Sequence, residues 1–358
     1  MKTRKALVCG LLAVFAAFAL IVTACPDGSG FTVTFNSNGG SYAAPQYVSA
    51  GGKAAEPQGV TRTGYILDGW YMNEALTNRW NFAADVVSSS LTLYAKWNTG
   101  GSASGLVEMV YVPGGSFQMG NPDSSVGDSD ERPVHTVTVS GFYMGKHEVT
   151  QGQWQAVMGS NPSSFRGTNL PVESVSWYDA VEFCNALSVA ESLTPYYTIN
   201  KNQTDPNNTS SYDTYKWLVT TNTSAAGYRL PTEAQWEYAA KGGNGSPGNY
   251  TYSGSNTAAD VAWYSGNSGS TTHTVGTKAA NGLGIYDMSG NVWEWCWDWY
   301  GSYSNTAQTD PVGASSGSFR VERGGGWGRS AGIVRSADRY GSGPNGRVNF
   351  IGFRLVRP

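Results

Sequence analysis

Histidine and cysteine, the residues that bind transition metals and carry thiol chemistry, are scarce in this chain of 358 residues. The histidines lie far apart and lack metal-ligand spacing: His135, His147 and His273. Of four cysteines, two lie near the N-terminus, while Cys184 and Cys296 each lie inside an apolar, aromatic segment without zinc-type spacing. We therefore expect two buried free thiols rather than a disulfide framework, with a single disulfide as the open alternative.

Charge is scarce as well, since charged residues make up 14% of the chain and the net charge is -3. Removing residues 1–24 would remove three basic side chains and no acidic one, which takes the net charge to -6. An acidic chain lacks the basic face that nucleic acid requires, so nucleic-acid binding is excluded. The 46 glycines and 13 tryptophans indicate instead a folded, loop-rich protein with an aromatic core, long enough for two folded units.

Long hydrophobic runs are absent except for one uncharged run from Ala6 to Ala24, which follows a basic start and ends at Val-Thr-Ala-Cys. This pattern predicts a lipoprotein signal peptide over 1–24, lipidation of Cys25 and a short anchor linker over 25–30. The expected location is the bacterial cell envelope, at its outer surface, through the lipid anchor. An uncleaved transmembrane anchor is the alternative, because the run is nearly long enough to cross a bilayer.

Residues 31–97 form a compact β pattern. FTVTFNSNGG alternates apolar and polar residues before a Gly-Gly turn, GYILDGWY supplies an aromatic strand, and LTLYAKW alternates again. The segment resembles the Listeria-Bacteroides (internalin B-type) repeat, which implies a small β-grasp-like module. A single copy favours a spacer role over an adhesive one.

A Gly/Ser-rich linker over 98–105 precedes a second domain over 106–358. Capping boxes predict three helices in it, at Thr150 with Gln153, Ser176 with Asp179, and Thr232 with Gln235. One face of the second helix is apolar and is expected in the core: Trp177, Ala180, Val181, Cys184 and Leu187. From residue 243 onward no long helical period occurs, which predicts an irregular, loop-dominated half.

Four segments of the second domain resemble the sulfatase-modifying, formylglycine-generating enzyme family. They are MVYVPGGSFQMG (109–120), GYRLPTEAQWEYAAKGG (227–243), YDMSGNVWEWCWDWY (286–300), and RGGGW (323–327) with IGFRLV (351–356). The resemblance implies a C-type-lectin-like, mixed α+β domain with little regular structure. Fold alone does not establish activity, so the site needs its own argument.

The enzymes of this family use two cysteines that follow the Arg-Gly-Gly segment and hold copper. By that resemblance, the two cysteines should fall at Arg329 and Val334, and neither side chain binds Cu(I). The related iron-dependent sulfoxide synthases need a histidine cluster, which the three scattered histidines do not form. We therefore expect no enzyme activity. The alternative is a sulfatase-modifying oxidoreductase with relocated chemistry, for which only Cys184 and Cys296 could serve.

The same resemblance implies a structural calcium site, while no cofactor is expected to be required. Its ligands would be the Asp287 and Glu294 side chains with the carbonyls of Gly290 and Val292, because calcium favours several hard oxygens from a folded loop. In the alternative interpretation, Asp287 caps a turn and Glu294 is hydrogen-bonded in the core.

The C-terminal segment also resembles the variable region of retroelement-diversified treponemal lipoproteins, through RGGGW, RSADR, GPNGR and IGFRLV within about 320–356. In those systems adenines of asparagine codons are replaced at random. Replacing the two adenines of AAC or AAT cannot produce Lys, Glu, Gln, Met or Trp. These five types make up 50 of the 358 residues, yet none occurs in 328–350, where their overall frequency would place about three.

This interpretation predicts an exposed face that binds a protein or glycan ligand, built like a paratope from short loops on a rigid scaffold. Arg329, Tyr340 and Phe350 are the expected hot spots. Trp327, Arg335, Arg339, Pro344 and Gly352 are expected as fixed framework, with Ile351 and Phe353 buried. The expected variable positions are Gly328, Arg329, Ser330, Ile333, Val334, Asp338, Tyr340, Gly341, Ser342, Val348 and Phe350. A purely structural surface protein without a specific ligand is the remaining alternative.

Overall fold

A computed structural model describes residues 30–57, 60, 62, 65–82, 84–99, 106–243 and 250–358. The chain divides into two compact units, residues 1–100 and 101–358. Within the described residues, no helix is long and apolar enough to cross a membrane. The predicted signal peptide, Cys25 and most of the predicted linker lie outside the described residues.

The first unit is a four-stranded sheet in the order β2-β1-β4-β3. Its strands are β1 (Gly30–Asn36), β2 (Gln46–Ser49), β3 (Tyr65–Tyr71) and β4 (Leu91–Thr99). β1 and β4 pair in parallel, and the other pairs are antiparallel. Phe35 packs edge-on against the buried Trp70, with ring centroids 5.0 Å apart. The three strands that the alternating pattern predicts are confirmed, and β4 continues two residues into the segment predicted as linker.

The second unit is a mixed α+β domain of short elements, as predicted from the family resemblance. Its helices are α1 (Gln151–Met158), α2 (Trp177–Ala190), α3 (Glu233–Ala240) and α4 (Ala258–Val261). Its strands are β5 (Met109–Val112), β6 (Gly115–Met119), β7 (His135–Val139), β8 (Phe142–Gly145), β9 (Tyr197–Thr204), β10 (Trp217–Thr221), β11 (Trp293–Trp299), β12 (Gln308–Thr309), β13 (Arg320–Arg323), β14 (Arg339–Ser342), β15 (Ile351–Gly352) and β16 (Val356–Arg357).

These strands form small sheets in the orders β14-β13-β11-β15, β12-β7-β6, β16-β8-β5 and β10-β9. The first of them contains β14, which carries three of the positions predicted to vary, Tyr340, Gly341 and Ser342. Its central strands β11 and β13 run antiparallel, and Glu294 pairs with Arg323 in the register. Alternate residues of a strand point to opposite faces, so this sheet presents one face to α3 and the other to α2 and the aromatic core.

The three predicted helix starts are confirmed. Thr150, Ser176 and Thr232 each accept a hydrogen bond from the backbone N–H three residues on, and each capping box is complete. The apolar face predicted for α2 is buried, with Trp177, Cys184 and Leu187 each at most 1% exposed. Cys184 and Cys296 are both free and buried, as expected.

Candidate ligand-binding face

Buried ion pairs attach the predicted variable segment to the rest of the domain. Arg323 of β13 is fully buried, and its Nη1 and Nη2 lie 2.9 and 2.6 Å from the carboxylates of Glu233 and Glu237 on α3. Arg339 of β14 contacts the other oxygen of Glu233 at 2.6 Å. Arg335 lies 2.5 Å from Glu131. Separating one of these pairs would leave a buried charge without its partner, which costs free energy. The pairs therefore hold β13 and β14 against α3, and Arg335 against Glu131.

The residues expected as framework are largely enclosed. Arg335, Arg339, Pro344 and Gly352 are buried, and Trp327 is half-buried with its Nε1 donating to the Asn349 carbonyl at 3.0 Å. A Cβ at Gly352 would lie 2.3 Å from the Val172 carbonyl oxygen, which only glycine tolerates. Ile351 and Phe353 are buried, as expected.

Nine of the eleven positions predicted to vary reach the surface at least in part. The exposed ones are Gly328, Arg329, Ser330 and Tyr340, and the half-buried ones are Ile333, Gly341, Ser342, Val348 and Phe350. We call these nine residues the ligand-binding face. Its most exposed large apolar side chain is Tyr340, 54% exposed, whose ring packs against Trp293 at 5.9 Å between centroids.

Phe350 is less open than its expected role as an exposed hot spot requires. Its side chain is half-buried and packs against the main core cluster, and the Arg329 guanidinium lies over its ring at 5.4 Å. A cation over an aromatic face is attracted by the ring quadrupole. Arg329 and Phe350 therefore form one composite surface rather than two independent anchors.

Two of the eleven positions are not on the surface, and the expectation that they contact ligand is wrong. Val334 is fully buried in a small cluster with Ala258 and Ala262 of α4. Asp338 is 3% exposed and lies 3.2 Å from Arg335, which also holds Glu131. Both are held inside by contacts from distant parts of the chain.

Sequence reasoning missed Glu322, a buried acid on the side of β13 that faces Tyr340 in the strand register. The Ser342 hydroxyl donates to its Oε1 at 3.1 Å, and its Oε2 has no hydrogen-bond partner among the described residues. Burial raises the pKa of Glu322 to about 8, although Ser342 and Arg329 oppose the rise. The sequence feature that could have indicated a buried acid is the glutamate inside the short central strand RVER.

A tyrosine-rich loop beside the face was also missed. Tyr212 is 81% exposed, and its carbonyl accepts from Asn345 Nδ2 at 3.2 Å. Tyr215 accepts at its hydroxyl from Arg347 Nη1 at 3.0 Å. The signal was the composition of the loop, NNTSSYDTY, since tyrosine and serine are the residues that paratopes favour.

The cavities of the domain lie mostly elsewhere. One of about 540 Å³ is lined by residues that include Tyr196, Arg229 and Trp297, and by none from 328–350. Another of about 190 Å³ includes Arg339 but none of the residues of the ligand-binding face. Neither of these two cavities therefore contains a residue of the ligand-binding face.

Comparison with known families identifies both units. The model of the sulfatase-modifying factor enzyme 1-like domain matches residues 100–358, which covers the whole second unit. The chain belongs to this family. The Listeria-Bacteroides repeat model matches residues 31–96. Both resemblances drawn from the sequence motifs are confirmed.

Three relatives of the sulfatase-modifying factor family span different functions. Chaperone protein LppX of Paenibacillus barcinonensis is 45% identical over 282 residues, 73% of this chain and 92% of that protein. The formylglycine-generating enzyme of Mus musculus is 30% identical over 293 residues, 70% of this chain and 75% of that protein. The solved structure of Treponema denticola variable protein 1 is 40% identical with a TM-score of 0.62, covering 70% of this chain and 95% of that one.

The family domain also occurs in longer proteins. The chain spans 38% of the length of the serine/threonine-protein kinase Pkn1 of Chlamydia trachomatis, with 32% identity over 265 residues, 70% of this chain. The proteins similar to this chain therefore include a chaperone, a formylglycine-generating enzyme, a variable protein and a kinase, and family membership does not by itself decide the activity.

The thiols of this family member are unsuited to the enzymes' chemistry. Arg329 is exposed and Val334 is buried at the positions where the resemblance places the copper cysteines. Cys184 and Cys296 are fully buried, and burial raises the pKa of both thiols above its usual range. A thiolate is the reactive and metal-binding form, so neither cysteine is suited to redox work. No group of three or more His, Cys, Asp or Glu among the described residues could hold a metal.

The residues expected to bind calcium fit that ion poorly. Both Glu294 oxygens lie 2.6 Å from Arg354, in a buried ion pair, and Oε2 also accepts from Trp236 Nε1. Asp287 accepts from the Gly276 N–H through Oδ2, while its Oδ1 is buried without a hydrogen-bond partner among the described residues. An ion that needs several free oxygens would have to displace Arg354 from Glu294.

Proposed function

We propose that this protein is an envelope-anchored lipoprotein whose sulfatase-modifying factor domain binds a protein or glycan ligand and catalyses no reaction. The 40% identity to a treponemal variable protein supports the proposal. The observation that carries it is the arrangement of the face, in which exposed Arg329, on the loop after β13, and exposed Tyr340, on β14, are supported by strands held in buried ion pairs. Such a surface accepts substitution at its exposed positions without refolding.

Retroelement diversification is the second part of the proposal. The nine residues of the ligand-binding face are the positions proposed to vary, and the framework residues between them stay constant. The absence of the five residue types that adenine replacement cannot produce supports this. Neither a required cofactor nor nucleic acid forms part of the function. A structural calcium ion stays a prediction of the family resemblance.

Binding assays on purified protein test the ligand-binding part. We expect a library of surface proteins and glycans to contain partners that lose binding when Arg329, Tyr340 and Phe350 are all changed to alanine. The matched control changes the same residue types at exposed positions elsewhere, Arg79, Tyr42 and Phe319. Partners that bind all three proteins equally would refute the site.

The anchor is a separate claim with its own test. If Cys25 carries lipid, the full chain expressed in a bacterium partitions into the detergent phase of Triton X-114. Cys25→Ser protein should move to the aqueous phase unless residues 1–24 are retained as an anchor, whereas Cys9→Ser protein should stay with the detergent. Identical partitioning of the Cys25→Ser protein and the unmodified chain would contradict lipidation at this position.

The sulfatase-modifying oxidoreductase is the enzymatic alternative. Formylglycine appearing in a sulfatase-type cysteine peptide incubated with this protein and copper would overturn the non-enzymatic proposal. The buried thiols of Cys184 and Cys296 argue against that outcome. Double replacement of the two cysteines by serine would show whether any activity found depends on them.

A chaperone is the second candidate function, favoured by the 45% identity to the chaperone protein LppX over most of that protein. A chaperone would suppress aggregation of heat-denatured clients at stoichiometric amounts and would bind many unrelated clients. The proposed ligand-binding protein would bind few partners and leave aggregation unchanged. Light scattering of a denaturing client with and without the protein distinguishes the two.

A further inference from the structure

Glu322 is an acid that the fold buries without a cation. Its side chain is 0% exposed, its Oε1 accepts from Ser342, and its Oε2 has no hydrogen-bond partner among the described residues. On the other side of the same sheet, the buried carboxylates of Glu233 and Glu237 are both paired with Arg323. A buried carboxyl without its partner costs free energy, so Glu322 needs an explanation that the domain's packing does not supply.

The position of Glu322 points to the ligand-binding face. In the strand register it lies opposite Tyr340 of β14, and side chains of directly opposed residues on neighbouring strands stand on the same side of the sheet. Ser342, which contacts it, also belongs to the face. Glu322 therefore forms the floor of the face, next to the 54% exposed Tyr340.

We propose that the face selects protein ligands that present a lysine or arginine side chain, and that Glu322 receives this cation once the Tyr340 side chain moves aside. This inference rests on the proposed ligand-binding function and names its ligand chemistry. An ammonium or guanidinium group would supply the donor that Oε2 lacks and neutralise the acid in a site of low dielectric, where charge-assisted hydrogen bonds are strongest.

The depth of the acid favours a basic side chain over an amino sugar. Lysine and arginine carry the charge at the end of a long apolar stem, which can lie along aromatic rings while the head reaches further in. The ring of Tyr340, which is 54% exposed, offers such a surface. An amino sugar carries its ammonium directly on a bulky polar ring and cannot reach as far.

The proposed role of Glu322 separates this constant residue from the nine positions of the ligand-binding face that are proposed to vary. Glu322 precedes the window 328–350, and glutamate is one of the residues that adenine replacement in an AAC or AAT codon cannot produce. The acid is therefore a fixed anchor for a cation, while the surrounding positions change the fit to the rest of the partner. Arg329 competes with a bound cation for Glu322, because its own positive charge already acts on the Glu322 carboxyl.

The protonation of Glu322 provides a readout that a purely structural role would not affect. With its pKa raised to about 8 by burial, the carboxyl holds a proton at pH 7. A bound cation favours the ionised form, so binding at pH 7 should release about one proton. Titration calorimetry in buffers of different ionisation enthalpy measures this number.

The experiment uses the full chain and three small probes, the Nα-acetyl methylamides of arginine, lysine and citrulline. Citrulline is the neutral isostere of arginine. We expect the cationic probes to bind about tenfold more tightly than citrulline, with proton release. Glu322→Gln should abolish both the preference and the proton release, while Glu108→Gln, which removes an exposed acid elsewhere, should keep both. Equal binding of arginine and citrulline probes would overturn the inference.

Two further arms keep the test falsifiable. Arg329→Ala should tighten binding of the arginine probe several-fold, because it removes a competing cation, even though it weakens binding of a whole partner. If methyl glucosaminide binds as tightly as the arginine probe and loses binding in Glu322→Gln, the assignment to protein ligands is wrong. One outcome would overturn this inference and leave the proposed ligand-binding function standing. In that outcome, Glu322→Gln protein keeps partner binding, and the triple variant of Arg329, Tyr340 and Phe350 loses it.

Discussion

At the scale of single residues, burial separates neighbours that the sequence presents as equivalent. Gly328, Arg329 and Ser330 are exposed, whereas Val334, a few residues on, is fully enclosed against α4. Substitution at the exposed positions leaves packing unchanged, and substitution at the enclosed one does not. Stability measurements can therefore map the face without knowledge of its ligand.

Val334→Ala should lower the free energy of unfolding by about 1–3 kcal/mol, because it removes buried methyl groups and leaves a cavity in the cluster with Ala258 and Ala262. Ser330→Ala, at an exposed position, should change it by less than about 0.5 kcal/mol. Urea denaturation followed by tryptophan fluorescence measures both. Equal effects of the two substitutions would contradict the division between face and core.

Glu322 should make the stability of the protein depend on pH. Its pKa is raised from 4.5 in the unfolded chain to about 8 in the fold, so between these values only the unfolded chain releases the proton. The free energy of unfolding should therefore fall as pH rises from about 5 to 8, by about 1.4 kcal/mol for each unit of pKa difference at most. Glu322→Gln, which carries no titrating proton, should show a flatter profile. If the free energy of unfolding changed with pH in the same way in both proteins, Glu322 would not have the raised pKa that its burial predicts.

At the scale of elements, the sheet β14-β13-β11-β15 and helix α3 are joined by buried ion pairs into one supporting structure beneath the ligand-binding face. Arg323 joins β13 to α3 through two carboxylates, and Arg339 joins β14 to the same helix. The loops of the ligand-binding face begin and end on these strands.

Arg323→Met should destabilise the domain by about 3 kcal/mol, because Glu237 and Glu233 each lose a buried cation and keep only Lys241 and Arg339 as partners. The matched control is Arg347→Met, since Arg347 pairs with Asp179 at the surface, and an exposed pair contributes about 0–1 kcal/mol. Thermal unfolding monitored by circular dichroism compares the two. A loss of similar size in both variants would show that the buried pairs do not brace the face.

The elements that sequence could predict are those with local causes. The starts of α1, α2 and α3 follow from capping boxes that span three residues, such as Ser176 with Asp179. The strands of the first unit follow from alternation within a few residues. The burial of Val334 depends on Ala258 and Ala262, and that of Asp338 on Arg335 and Glu131, which are brought together only by the folded domain. The unpaired state of Glu322 likewise becomes visible only when its neighbours are known.

At the scale of the whole molecule, the second unit belongs to a family that includes formylglycine-generating enzymes, and its cysteines Cys184 and Cys296 are buried. Arg323 and Arg354 lie in buried ion pairs, and Arg329 and Val334 stand at the positions where the family resemblance places the enzymes' cysteines. The function proposed for the domain is therefore carried by its surface. The Listeria-Bacteroides module and the predicted anchor would present that surface to the surroundings of the cell.

Chelation tests whether the domain depends on an ion. Because both Glu294 oxygens are held by Arg354 at 2.6 Å, the fold should not need calcium for stability. Dialysis against EDTA, followed by thermal unfolding with and without added calcium, should give the same Tm. A rise of several degrees on adding calcium, lost in a Glu294→Gln variant, would restore the calcium site implied by the family.

Resequencing of codons 320–356 in clonal cultures of the source organism tests the central claim most directly, because it needs no knowledge of the ligand. The account predicts substitutions at the nine residues of the ligand-binding face, arising from adenines of asparagine codons. Trp327, Arg335 and Arg339 should stay constant, as should Glu322. A fixed sequence throughout the window, or changes spread equally over face and framework, would contradict a diversified ligand-binding surface.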